Sequence, residues 1–73
     1  MIGYTLYMVR KNNAADSRKL GVQLGRICIS KNIPVQEIAE IAGVSTQAVY
    51  KWFMGDYCPK PRIAQKIFAY LNK

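Results

Sequence analysis

The sequence predicts an all-α fold, a compact four-helix domain with a short extended arm at its amino terminus. Three observations predict it. Apolar side chains recur at steps of three and four residues along most of the chain. Glycine, asparagine and proline fall between these runs, where helices begin and end. A length of 73 residues suits one small domain. The four helices are expected at residues 17–31, 35–42, 46–54 and 62–72.

The first residues are expected to be extended rather than helical. Their β-branched and aromatic content suits a strand, and alternate positions hold Ile2, Tyr4, Leu6 and Met8. A lone strand leaves its backbone groups unpaired, so one hypothesis is that residues 1–16 form an arm that pairs with its counterpart in a homodimer. The alternatives are a clip folded onto its own helices or a disordered tail. Residues 17–73 then form the helical domain.

The first predicted helix carries an apolar stripe that consists of Leu20, Leu24 and Ile27. Asp16 or Ser17 can cap its start, because either side chain can accept a hydrogen bond from a first-turn amide. Gly21 and Gly25 each weaken a helix by about 1 kcal/mol relative to alanine. We therefore expect them to compensate by close packing against another backbone.

The stretch from Val35 to Met54 predicts two short helices joined by a tight turn. Gly43 ends the first helix, since glycine adopts the left-handed conformation of helix ends without a steric penalty. Ser45 begins the second as its N-cap. The inward positions of the second helix are Val49 and Trp52, and its outward positions are Gln47, Tyr50, Lys51 and Met54.

This stretch resembles the helix-turn-helix of the lambda-repressor and Cro family of prokaryotic and phage regulators. The resemblance extends from Leu20 to Leu71 and rests on Ala39, Gly43-Val44-Ser45, Val49, Trp52 and Gly55. It implies a transcriptional regulator that binds double-stranded DNA as a homodimer on a two-fold operator. The second helix would enter the major groove.

The resemblance also implies which side chains meet DNA. Contacts to bases are expected from Thr46, Gln47, Tyr50 and Lys51, since glutamine can hold adenine through two hydrogen bonds and lysine can donate to guanine. Contacts to phosphates are expected from Ser45, Gln36, Lys60 and Arg62.

The chain departs from the family pattern at the start of the second predicted helix. The family usually has serine and glutamine where this chain has Pro34 and Val35, and that glutamine binds a phosphate. Valine cannot do so, and Gln36 is the candidate substitute. Glu37 and Glu40 add negative charge to the same helix.

The loop after Gly55 contains two prolines, which prevent a continuous helix and precede the last predicted helix. The inward stripe of that helix consists of Ile63, Ile67, Phe68 and Leu71. The apolar pair Phe53 and Met54 is unusual for the family. It indicates a contact with the amino-terminal arm or a second subunit, or a slightly larger core.

Eleven basic and four acidic residues give a net charge of +7, which indicates an anionic partner such as nucleic acid. There is no histidine, and Cys28 and Cys58 are too few ligands for zinc, so no metal or cofactor is expected and the cysteines should be reduced. Nothing suggests an enzyme. The apolar start is too short to span a membrane, so a cytoplasmic protein is expected.

A rival interpretation is that the helix-turn-helix is a scaffold for protein–protein interaction, as in an antitoxin-like factor or one that binds RNA polymerase. The apolar arm, Val35 and the acidic pair on the second helix favour it. An architectural or excisionase-like DNA-binding role lies between the two.

Overall fold

The computed structural model describes residues 4–72, which measure 28 × 27 × 22 Å along their principal axes. Five helices follow one another: α1 (Leu6–Ala14), α2 (Leu20–Lys31), α3 (Val35–Ala42), α4 (Thr46–Met54) and α5 (Pro61–Leu71). The all-α class is confirmed, and α2 to α5 correspond to the four predicted helices. Across residues 4–72, no helix is long and apolar enough to cross a membrane.

The prediction of an extended arm is wrong from residue 6 onwards, because residues 6–14 form α1. The Thr5 hydroxyl accepts a hydrogen bond from the Met8 amide at 3.2 Å and so caps the helix. A helix brings Met8 and Asn12, four residues apart, onto one buried face. The apparent alternation carried little information, since Tyr7 and Val9 are also apolar. The part of the predicted strand at residues 1–3 lies outside the described residues.

Polar side chains attach α1 to the rest of the domain. Asn12 is fully buried, and its Nδ2 donates to the carbonyl oxygens of Val22 at 3.2 Å and Phe53 at 2.7 Å. The Arg26 guanidinium lies 3.3 to 3.5 Å from three carbonyl oxygens at the end of α1, those of Asn12, Asn13 and Ala15. These bonds connect α1 to both α2 and α4.

The main core lies where α2 meets α4 and α5, with α3 packed across α4 and α5. Its fully buried large side chains include Leu24, Ile38, Val49, Phe53 and Ile67. Trp52 is also buried, as its inward position predicted. Phe53 belongs to the core, and its ring also packs against that of Tyr4, with 6.3 Å between the ring centroids. The predicted contact between Phe53 and the amino-terminal segment is present.

The predicted start of the first domain helix is wrong by three residues. Helix α2 begins at Leu20, and its N-cap, Lys19, makes no side-chain capping bond. The Asp16 carboxylate accepts instead from the Arg18 amide at 2.9 Å and pairs with the Arg18 guanidinium, which closes a turn before the helix. This pairing lowers the pKa of Asp16. Leu20, as the first helical residue, remains partly exposed rather than inward.

The turn positions follow the sequence prediction. Asn32 ends α2 with a φ of 57° and Gly43 ends α3 with a φ of 71°. A Cβ atom at Gly43 would have no neighbour within 4 Å, so the backbone conformation alone favours glycine there.

Both cysteines are free thiols. Cys28 is buried in the core, whereas Cys58 is exposed in the loop before α5. Burial raises the pKa of the Cys28 thiol to about 12, so this thiol stays protonated and unreactive at neutral pH.

Asn12→Ala tests whether polar bonds hold α1 in place. We expect the substitution to lower the free energy of unfolding by about 1 to 3 kcal/mol, because it removes two buried hydrogen bonds and leaves the Phe53 carbonyl without this donor. Asn13→Ala is the matched control, since Asn13 is exposed. Urea unfolding followed by circular dichroism measures both, and equal midpoints for the two variants would contradict the assignment.

Candidate nucleic-acid interface

The turn between α3 and α4 occupies residues 43–45 and sets the angle between the two helices. The amides of Gly43 and Val44 both donate to the Ala39 carbonyl, at 2.8 and 3.1 Å. The Ser45 hydroxyl then accepts from the Ala48 amide at 3.3 Å, so Ser45 is the N-cap of α4. Each bond satisfies a backbone group that a helix end leaves free. The local sequence thus ends α3 and restarts the chain as α4.

Helix α4 lies very close to α2. A Cβ atom at Gly21 would stand 2.6 Å from the Trp52 carbonyl oxygen, and one at Gly25 would stand 2.8 Å from Cγ of Phe53. Only glycine permits this approach. The predicted close packing against another backbone is confirmed for Gly21, whereas Gly25 packs against the side chains of Phe53 and Asn12. The inner face of α4 is consequently fixed against the core.

The opposite face of α4 is open to solvent. Exposed side chains on it are Thr46, Gln47, Tyr50 and Lys51. Between residues 4 and 72, none of these four side chains takes part in a hydrogen bond or ion pair. They remain available to a ligand without the loss of any hydrogen bond or ion pair.

Gln47 and Lys51 lie one helical turn apart and line a shallow groove together with Ser45 and Tyr57. The Lys51 ammonium lies 5.1 Å from the centroid of the Tyr57 ring. An aromatic ring attracts a cation above its face weakly, so the Tyr57 ring restricts where the Lys51 ammonium lies. This contact holds the Lys51 side chain in the groove at the carboxyl-terminal half of α4. The sequence did not single out Tyr57, because its loop gave no signal of a contact.

The other predicted contact residues lie at the ends of the neighbouring helices. Gln36 is exposed in the first turn of α3. Lys60 is the N-cap residue of α5, and Arg62 lies in its first turn after Pro61. Both cations are exposed beside first-turn amides of α5, an arrangement that favours anions.

Val35 and Glu37 both have roles inside the fold. Val35 is only 5% exposed and packs in the core. Glu37 accepts a hydrogen bond from the Tyr70 hydroxyl on α5, which raises the pKa of Tyr70. The departure from the family pattern at Val35 is thus explained by packing. Of the two acidic residues on α3, Glu40 is exposed and Glu37 is half-buried.

The sequence did not predict that α1 would extend this surface. A groove between the start of α1 and the outer side of α4 is lined by Tyr4, Thr5, Tyr7, Met8, Tyr50 and Met54. The Tyr4 hydroxyl donates to the Ile33 carbonyl just before α3. The amino-terminal segment therefore borders the Tyr50 side of α4. Thr5, a good N-cap residue, was the local signal that a helix begins at residue 6. The apolar alternation of residues 2–8 obscured that signal.

Comparison with known proteins agrees with this geometry. A helix-turn-helix family model matches residues 24–73, which is more than half of the chain. The chain belongs to this family of DNA-binding regulators, which is the lambda-repressor type that the sequence resembles. No curated protein and no solved structure showed significant similarity to it.

Gly21→Ala tests the close approach that positions α4. We expect it to lower the free energy of unfolding by about 1 to 3 kcal/mol, because the added methyl group would overlap the Trp52 backbone. This loss should exceed the gain of about 1 kcal/mol in helix propensity. Ser30→Ala, at an exposed site of the same helix, should change stability by less than about 0.5 kcal/mol. Denaturant unfolding compares the two, and a stabilised Gly21→Ala variant would refute the assigned contact.

Proposed function

We propose that this protein is a sequence-specific transcriptional regulator that inserts α4 into the major groove of double-stranded DNA. One observation carries the proposal: the inner face of α4 is fixed to α2, while its outer face presents four exposed side chains, those of Thr46, Gln47, Tyr50 and Lys51. A rigid helix with free hydrogen-bonding side chains can discriminate base edges.

Within this proposal the side chains divide into two groups. Thr46, Gln47, Tyr50 and Lys51 contact bases. The side chains that contact phosphates are Ser45, Gln36, Lys60 and Arg62. Base contacts determine the sequence that is bound, whereas phosphate contacts orient the protein and contribute affinity for any duplex. A net charge of +7 supports the affinity for any duplex that the phosphate contacts contribute.

The proposed assembly on DNA is a homodimer on a two-fold operator, with its two copies of α4 about 34 Å apart. The proposed action of this dimer is steric. The bound dimer would cover a promoter or touch RNA polymerase. Selecting bound sites from a random duplex pool tests specificity and symmetry together, because a dimer of this kind should yield a palindromic consensus.

The rival proposal, a helix-turn-helix scaffold that binds another protein, now has weaker support. Two of the features that favoured it, Val35 and Glu37, are engaged in the core and with Tyr70. Binding to random-sequence duplex at two salt concentrations separates the proposals, since a DNA-binding protein loses affinity steeply as salt rises. An architectural or excisionase-like protein would bind with the same salt dependence but select no palindrome.

Gln47→Ala should weaken binding to the selected site by about 1 to 3 kcal/mol and relax the preference at one base position. The physical reason is the loss of two hydrogen bonds to one base. Gln65→Ala on the exposed side of α5 is the matched control and should leave binding unchanged. Fluorescence anisotropy with the selected duplex and its single-base variants measures both. Unaltered affinity and preference in Gln47→Ala would remove this residue from the interface.

Lys60→Ala should weaken binding to every duplex alike and reduce the slope of log affinity against log salt by about 1. The Lys60 side chain makes no capping bond to α5, so the fold should tolerate the change. Lys66→Ala removes the same charge from an exposed site in the middle of α5 and serves as the control. An equal slope in both variants would argue against a phosphate contact at Lys60.

A further inference from the structure

Helix α1 carries an exposed face that neither the family match nor the proposed contact residues include. The residues of this α1 face are Leu6, Tyr7, Arg10, Lys11 and Ala14. They precede residue 24, where the family match begins. We propose that the α1 face contacts the sugar–phosphate backbone beside the groove that α4 enters. This inference rests on the proposed function and adds a second DNA-contacting element to it.

The α1 face is continuous with the surface of α4. Tyr7 belongs to the α1 face and also lines the groove that contains Tyr50 and Met54 of α4. It is 64% exposed, so its ring joins the two surfaces rather than filling the core. A duplex that reaches Tyr50 therefore has the α1 face directly at its edge.

The start of α1 also lies near Val35, which occupies the position where the family usually has a phosphate-binding glutamine. The hydrogen bond from Tyr4 to the Ile33 carbonyl places the start of α1 beside the start of α3. Val35, in the first turn of α3, is packed in the core and presents no polar group. The α1 face reaches this side of α4 through Tyr7, and the Lys11 ammonium lies beside that ring. The two cations of the face can therefore anchor the backbone in place of the missing side chain.

The charge of the α1 face favours a polyanion. Arg10 and Lys11 are both exposed, and the Lys11 ammonium lies 5.8 Å from the centroid of the Tyr7 ring. Residues 4–15 contain no aspartate or glutamate, and the nearest acidic residue along the chain, Asp16, is paired with Arg18. The two cations are thus free of any carboxylate on their own helix.

The same charge disfavours a second copy of the chain as the occupant. An isologous interface would place the same patch of both subunits together. Four cations, Arg10 and Lys11 from each subunit, would then lie in one patch with no carboxylate on α1 to separate them, and like charges at a desolvated contact are repulsive. A phosphate backbone pairs with both cations and leaves the Tyr7 ring to pack against a sugar.

The α1 face is also held in a fixed position before any ligand binds. Asn12 and Arg26 attach the inner side and the end of α1 to α2 and α4. A contact from a fixed helix costs less conformational entropy than one from a mobile arm. The cations therefore lie in place when α4 reaches the groove.

The test compares Arg10→Gln, Lys11→Gln and Lys66→Gln in the full chain, with a labelled random-sequence duplex titrated at several salt concentrations. Each α1 variant should bind about eightfold more weakly near 0.1 M salt, and its salt slope should fall by about 1, because one phosphate contact is lost. Glutamine preserves helix propensity, so circular dichroism should be unchanged. Lys66→Gln, which removes the same charge from α5, should show the smaller effect of net charge alone.

Four results would overturn the inference, one of them together with the proposed function. An effect of Lys11→Gln and Arg10→Gln no larger than that of Lys66→Gln would exclude a local contact. A change of mass in solution in either α1 variant would identify the face as a subunit interface. Absence of salt-dependent DNA binding by the unaltered protein would overturn the proposed function as well, whereas binding that depends on Gln47 but not on α1 would overturn this inference alone.

Discussion

The close approach of α2 and α4 is the constraint on which the rest of this structure depends. On α2, Gly21 lets the Trp52 backbone of α4 come within a distance that any side chain would prevent, and Gly25 leaves room for the Phe53 side chain. This contact buries Val49, Trp52 and Phe53 and turns the opposite side of α4 towards solvent. Because α4 cannot shift without losing the core, its exposed face keeps one orientation. The short-range hydrogen bonds of the α3–α4 turn then set the angle between α3 and α4.

Helix α1 shows a different balance of forces. It contributes a single buried apolar side chain, Met8, and depends on Asn12 and Arg26 for attachment. Buried polar bonds add little net stability but are costly to break, so they specify position more than they add strength. An apolar patch of the same area would have allowed α1 to slide along the domain. The two-point bond of Asn12 fixes both its register and its direction.

The acidic and basic side chains of the domain differ in how they are engaged. The Asp16 carboxylate is paired with Arg18, and the Glu37 carboxylate accepts a hydrogen bond from Tyr70. Among residues 4–72, most basic side chains therefore have no carboxylate partner. Helix α4 provides the selective face proposed to read bases, and the cations on α1 and at the start of α5 are the side chains proposed to contact phosphates. A small domain can in this way combine a rigid recognition helix with a broad electrostatic footprint.

The sequence by itself determined the local features: the glycine that ends α3, the serine that begins α4, the asparagine that ends α2 and the inward positions of α4. Each depends on a backbone angle or a cap within a few residues, which local chemistry dictates. Only the tertiary structure decided that residues 6–14 are helical. A helix of nine residues is too short to be stable alone, and the bond that holds it joins Asn12 to Phe53, 41 positions along the chain. The pairing of Glu37 was equally beyond local patterns, because its partner Tyr70 reaches it only when α5 packs against α3.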